Sequence, residues 1–242
     1  HDFSTAVQCL VQLNRDAVTD ALRERFSAAH ADNWRLRQAV ADSYRRANHH
    51  GHIVAGEFER GYHRGGGEYA NSFERDRIRS LQLMEHAATL VEQQASPGQA
   101  AAFYLAYASQ VLAGRGQYGA WKLNALSDTS KLPDYEKGHH YGWRHGKAPP
   151  GAPVDKEGNP VYHHVPESFK SARTDGERWR WLLHRAKTID PGVANNVAWT
   201  FAEFLHGQFG VQTMAEYGWF FHGARSRQAD VKKDISGTFQ LH

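Results

Sequence analysis

Apolar residues return every three to four positions through most of this 242-residue chain. That spacing commits the sequence to amphipathic helices, because only a 3.6-residue period places such a set on one face. Phe3, Val7, Leu10 and Val11 form a first stripe, Val18, Leu22, Phe26 and Ala29 a second, and Trp34, Leu36, Val40 and Tyr44 a third. Asp32 or Asn33 can cap the third helix. A longer stripe follows in Ile78, Leu81, Met84, Ala88 and Val91, with Asn71 and Glu74 spaced as a capping box ahead of it. The stretch "ASPGQAAAFYLAYASQVLAG" offers Ser96 as cap, Pro97 at the first helical position and Gly114 as the stop. "YGAWKLNALSDTS" reads as a shorter helix. "RTDGERWRWLLHRAKTID" carries a second capping box in Thr174 and Glu177. Asp190-Pro191 then ends one helix and starts the next, "GVANNVAWTFAEFLHGQFG", and "VQTMAEYGWFFHGA" supplies the last.

The period breaks between about Lys131 and Lys170, where six of the eight prolines fall. Two short β-prone runs there, around Val154 and Val161–Val165, are joined by "DKEGN", which predicts a small β-hairpin or an irregular insert. The expected fold is mainly α: about eight helices in an antiparallel array, an α-solenoid that is tetratricopeptide-like in shape without a strict repeat. Residues 1–130 form the N-terminal helical array, 131–170 the insert, and 171–242 the C-terminal helices of the same domain. Trp34, Leu81, Tyr104, Trp121, Trp181, Trp199 and Phe204 are the expected buried residues. Cys9 lies in the first stripe and is expected as a buried thiol.

Charge excludes little. With 29 basic and 26 acidic residues interspersed, the net +3 and a pI near 9.0 come without the Lys/Arg stripe that a nucleic-acid binder needs. No run of 18 apolar residues is present, so no membrane span is expected. The first residues are amphipathic rather than signal-like, and both ends read as cut from a longer polypeptide.

Two features invite chemistry. "GYHRGGGEYANSFERDR" sets three glycines behind a His-Arg pair and ahead of a helix. It lacks the Lys-Ser/Thr of a phosphate-binding loop, and no βαβ unit surrounds it. It reads as a structural turn; the alternative is an anion or ligand site formed by His63, Arg64, Gly65, Gly66 and Gly67. Eight of the sixteen histidines gather at His49, His50 and His52, at His139, His140 and His145, and at His163 and His164. None makes the His-x-x-x-His helical pair of a zinc enzyme. The face pairs are Glu59 with His63 and Glu203 with His206. In "YHHV", alternation sends one histidine inward and the other outward. The rival functional reading, a metal- or anion-dependent enzyme, uses His49, His50, His52, His63 and Arg64. No Gly-x-Ser-x-Gly elbow is present, and Cys9 has no activating neighbour. The expectation is therefore no catalytic residue, no cofactor and no metal.

The stretches "DNWRLRQAVADSY", "HIVAGEFERGYHRGGGEYANSFERDRIRSLQLM", "LSDTSKLPDYE", "APVDKEGNPVYHHVPESF", "TDGERWRWLLHRA" and "FAEFLHGQFGVQTM" occur in that order. From about Phe26 to His242 the chain resembles the N-terminal helical region of large bacterial proteins of the alpha-2-macroglobulin family. The resemblance implies a secreted, periplasmic or surface-attached parent with β-domains downstream, which inhibits endopeptidases by trapping them. Where such a parent carries a thioester, it joins Cys and Gln in Cys-Gly-Glu-Gln. "CLVQ" at Cys9 is not that motif, and no functional residue of the family transfers to this chain. The implied partners are the other domains of the parent and, through it, proteases. The implied role is a non-enzymatic scaffold or interaction module.

Overall fold

The computed structural model describes residues 2–116, 119–138 and 151–210. Seven α-helices lie among them: α1 (Asp2–Gln12), α2 (Thr19–Ala29), α3 (Trp34–Arg45), α4 (Phe73–Gln94), α5 (Pro97–Val111), α6 (Asp175–Ile189) and α7 (Ala194–Phe209). The protein is thus mainly helical. Between α3 and α4 the chain makes three short strands, β1 (His50–Val54), β2 (Glu57–Arg60) and β3 (Glu68–Asn71). With β4 (Glu136–Lys137) they form an antiparallel sheet in the order β2-β1-β3-β4.

Several caps sit where their residue types demand. The Asn33 side chain accepts from the Leu36 amide at 3.1 Å. Ser96 and Gln99 complete a capping box with Pro97 in the first turn of α5. The Thr174 hydroxyl accepts from the Glu177 amide at 3.1 Å, while the Glu177 carboxylate takes the amide of Arg173 at 2.6 Å. Asn71 is not the N-cap residue of α4, although its side-chain oxygen accepts from the Phe73 amide at 3.2 Å. It closes β3, and Ser72 stands at the cap position with its hydroxyl turned to Asp76 instead.

α4 is buried on two sides, because α3 and α5 flank it. Leu81, Leu83, Met84, Ala87 and Val91 meet Val40, Ala41 and Tyr44 from α3 and Phe103, Tyr104 and Tyr107 from α5 in one core. α6 extends that core with Trp179, Leu182, Leu183 and Ala186. Trp34, Leu81 and Tyr104 are buried as expected, and Trp181 and Phe204 are partly buried against the core. Trp121 and Trp199 are exposed, at 40% and 67%. Cys9 is exposed too: α1 buries Phe3 alone, so the thiol falls on its solvent side.

The β-structure departs from expectation. The sheet lies mostly at residues 50–71, which the sequence marks only as a passage between helices. β1 and β2 are joined by Ala55 (φ 50°) and Gly56 (φ 87°), a two-residue turn whose left-handed backbone matches strand twist. Within 131–170 the expected hairpin is reduced. β4 pairs with β3, and Val154 makes an isolated bridge to Pro160 around a turn held by the Asp155 carboxylate. The segment predicted to be a short helix near Trp121 is one 3₁₀ turn, Ala120–Asn124. The last predicted helix, "VQTMAEYGWFFHGA", lies outside the described residues, as do His139, His140 and His145.

Candidate functional site

The HRGGG loop leads into a strand rather than a helix. Residues 61–67 carry the chain from β2 to β3, and α4 begins only at Phe73. Gly65 adopts φ +138°, a conformation side chains resist. A Cβ on Gly67 would stand 3.2–3.3 Å from Val54 and His52, whereas one on Gly66 would meet nothing. Arg64 is exposed and makes no hydrogen bond or ion pair among the described residues. His63 Nδ1 lies 2.9 Å from the Glu59 carboxylate.

The nearby histidines go to separate partners. His49 Nδ1 bonds Asp76, His50 Nδ1 bonds the Tyr69 hydroxyl, and His52 keeps a buried Nδ1 without a partner. The His52 and His63 rings are 6.1 Å apart. Among the described residues, no three His, Cys, Asp or Glu side chains are arranged to hold a metal ion. His163 points inward at 7% exposure and His164 outward. A left-handed His163 (φ 50°) divides them, not strand alternation.

The chemically dense region lies below the sheet, in residues that local patterns do not mark. Arg60, on β2, is buried with all three guanidinium nitrogens engaged. Nη1 and Nη2 grip the Asp76 carboxylate at 2.8 and 3.0 Å, Nε and Nη2 reach Asp20, and Nη1 also donates to the Asn48 carbonyl. Asp76, in the first turn of α4, further accepts from the Ser72 hydroxyl at 2.6 Å and from His49 at 2.7 Å. Burial alone would raise its carboxyl. The bonds from His49, Arg60 and Ser72 outweigh that and hold it below the usual range. An ionised Asp76 only accepts, so His49 carries its proton on Nδ1 and leaves Nε2 without a hydrogen bond among the described residues.

One residue along α4, Arg77 starts a second network. It donates to Asp175 at the start of α6 (2.8 Å), to Ser127 and to the Val111 carbonyl that ends α5. Asp175 is 1% exposed and also faces Arg115 and Arg178 at 3.7 and 3.6 Å. Glu74 accepts from Arg115 at 3.1 and 3.2 Å, with Arg77 and Lys122 at 4.0 and 3.9 Å. Burial and the neighbouring Arg115 charge lower the Arg77 guanidinium despite Asp175 and Glu74. Its Nε is buried with no acceptor.

Between the two networks lies a cleft of about 320 Å³, floored by α4 and closed by the ends of α3 and α5. Arg45, His49, Phe73, Glu74, Arg77 and Gln110 line it. It therefore combines an oriented imidazole, two guanidinium groups and an aromatic wall. The two features that invite chemistry in the sequence, the HRGGG loop and the histidine clusters, include His49 but not Arg45, Arg77 or Gln110. The partners of Arg77 and Gln110 come from distant segments, Asp175 and Asp42 being 98 and 68 positions away. Comparison with protein-family models, curated proteins and solved structures finds no match to this chain.

Proposed function

We propose that the chain is a non-enzymatic helical scaffold, an interaction module of a larger alpha-2-macroglobulin-like protein that works outside the cytoplasm in protease trapping or envelope defence. The observation that carries the interaction reading is α7. It packs Phe201 and Phe204 against Trp179 of α6, with ring centroids 5.9 and 4.6 Å apart, and turns Ala198, Trp199 and Ala202 to solvent. A tryptophan 67% exposed beside small residues on the last described helix suits a docking face, where aromatic anchors carry much of the energy. Its partner in this reading is another domain of the parent chain. The contacts of each of α3 to α6 with the next helix in sequence support a solenoid-like succession for such a scaffold.

Oxidative footprinting tests the face. Trp199 should be protected in the parent protein and reactive in the 242-residue chain alone; equal reactivity in both refutes the docking. The coding sequence beyond His242 tests the family reading: a train of β-domains upholds it, and a stop removes it. Among the described residues, no helix is long and apolar enough to cross a membrane.

A further inference from the structure

The cleft between α3, α4 and α5 has more donors than the protein answers. Arg77 is 5% exposed at its side chain, and its Nε has no acceptor among the described residues, a desolvation cost that a bound acceptor or an ordered water would relieve. His49 is fixed through Nδ1 and has Nε2 unengaged. Arg45 is 36% exposed, and its ion-pair partner Asp42 stands as far off as 3.9 Å. The carboxylate lining the cleft, Glu74, is already bonded through both oxygens to Arg115.

Charge points the same way. Arg77, Arg115, Lys122 and Arg178 surround Asp175 and Glu74, a local excess of cations, while Asp42 faces Arg45 and Asp76 is shared by Arg60 and His49. The first turn of the 22-residue α4, through Phe73 and Glu74, brings the positive end of a helix dipole to the same wall. α5 ends there with the opposite sign, but its last carbonyls are occupied: Val111 accepts from Arg77 and Leu112 from the Arg115 amide. Phe73 lies against the His49 ring at 4.5 Å and supplies an apolar surface. At about 320 Å³ the cleft reaches the size of small-molecule sites.

We propose that this cleft binds a small organic carboxylate, its oxygens taken by Arg45, Arg77 and His49 and its apolar part set against Phe73. The site is independent of the docking face on α7, which shares no residue with it.

The test titrates the 242-residue chain with benzoate by isothermal titration calorimetry, with the His49 ring resonances followed by NMR wherever His49 is present. Benzamidine has the same shape with the opposite charge, and inorganic phosphate has the charge without the apolar part. Benzoate should bind, with benzamidine and phosphate each markedly weaker. Arg45→Ala should weaken benzoate at least about tenfold, the loss expected of one charge-assisted hydrogen bond. Arg45 is exposed, so that variant keeps the fold, and His49→Gln should weaken binding similarly. Benzamidine matching benzoate overturns the anion preference, and phosphate matching it overturns the organic class. No binding, or binding unchanged by both variants, overturns the site.

Discussion

His163 makes stability depend on pH in a window of its own. Its ring lies against the first turn of α6, so close to Gly176 that a Cβ there would be 2.3 Å away. Burial pushes the imidazole from 6.5 down to about 4; Glu177 opposes this, while Arg180 and His164 add to it. The folded state therefore binds the proton less well than the unfolded chain. The stability this neutral imidazole contributes is whole above pH 6.5 and is lost as pH falls from there toward 4. At 7% exposure no large solvent screening applies. The linkage relation then gives a loss of roughly 2–3 kcal/mol between pH 7.5 and 4.5. His163→Asn removes the titration, and asparagine tolerates the left-handed backbone. Urea unfolding of both proteins, followed by tryptophan fluorescence from pH 7.5 to 4.5, should show the wild-type free energy falling faster by about that amount. The smaller asparagine adds an offset that does not vary with pH. Asp76 and Glu74, whose carboxyls sit below their ordinary values, act at lower pH and equally in both proteins. Parallel curves across the window would refute the reasoning.

Gly65→Ala should cost about 1 kcal/mol or more and lower the melting temperature by a few degrees, while Gly66→Ala leaves it unchanged. Arg64→Ala should be silent in the same melts. Gly51→Ala should be far worse than any of these, since its Cβ would stand 2.2 Å from the Glu59 carbonyl; circular dichroism of the purified variant checks this. Asp175→Ala strands Arg77 and Arg115 without their buried partner and should cost roughly 3–5 kcal/mol in urea unfolding. Trp179→Ala should cost a similar roughly 3–5 kcal/mol, and Trp199→Ala less than about 0.5 kcal/mol, two adjacent helices giving opposite outcomes for one residue type.

The helices are legible in sequence because their signals are local. Asn33, Ser96 with Pro97, and Thr174 with Glu177 each act within one turn of chain. The sheet is not, because β1 and β2 are five and four residues long and hold two histidines and two glutamates. Their turn uses Ala55, where Asn or Asp is the usual mark. Periodicity places Trp199 on a helix but does not say which side of α7 faces α6, and Cys9 fails for the same reason. The cleft is hidden more deeply. "ERDRIRS" reads as a solvated charged face, yet Asp76 and Arg77 within it are buried. Their partners Arg60 and Asp175 lie 16 and 98 positions away, a relation no window of sequence contains.

The attachments of Asp175 also bear on how the protein responds to cutting. Its amide donates to the Ala125 carbonyl, its carboxylate accepts from the Ser127 amide and hydroxyl, and Arg77 holds it from α4. The start of α6 is thereby sutured to the segment before residue 139, while the apolar side of α6 is seated on α5. A peptide bond severed between Gly138 and Gly151 would divide the chain covalently without dividing the core. The two fragments should migrate together under native conditions, separate only in denaturant, and keep the helical signal of the intact chain.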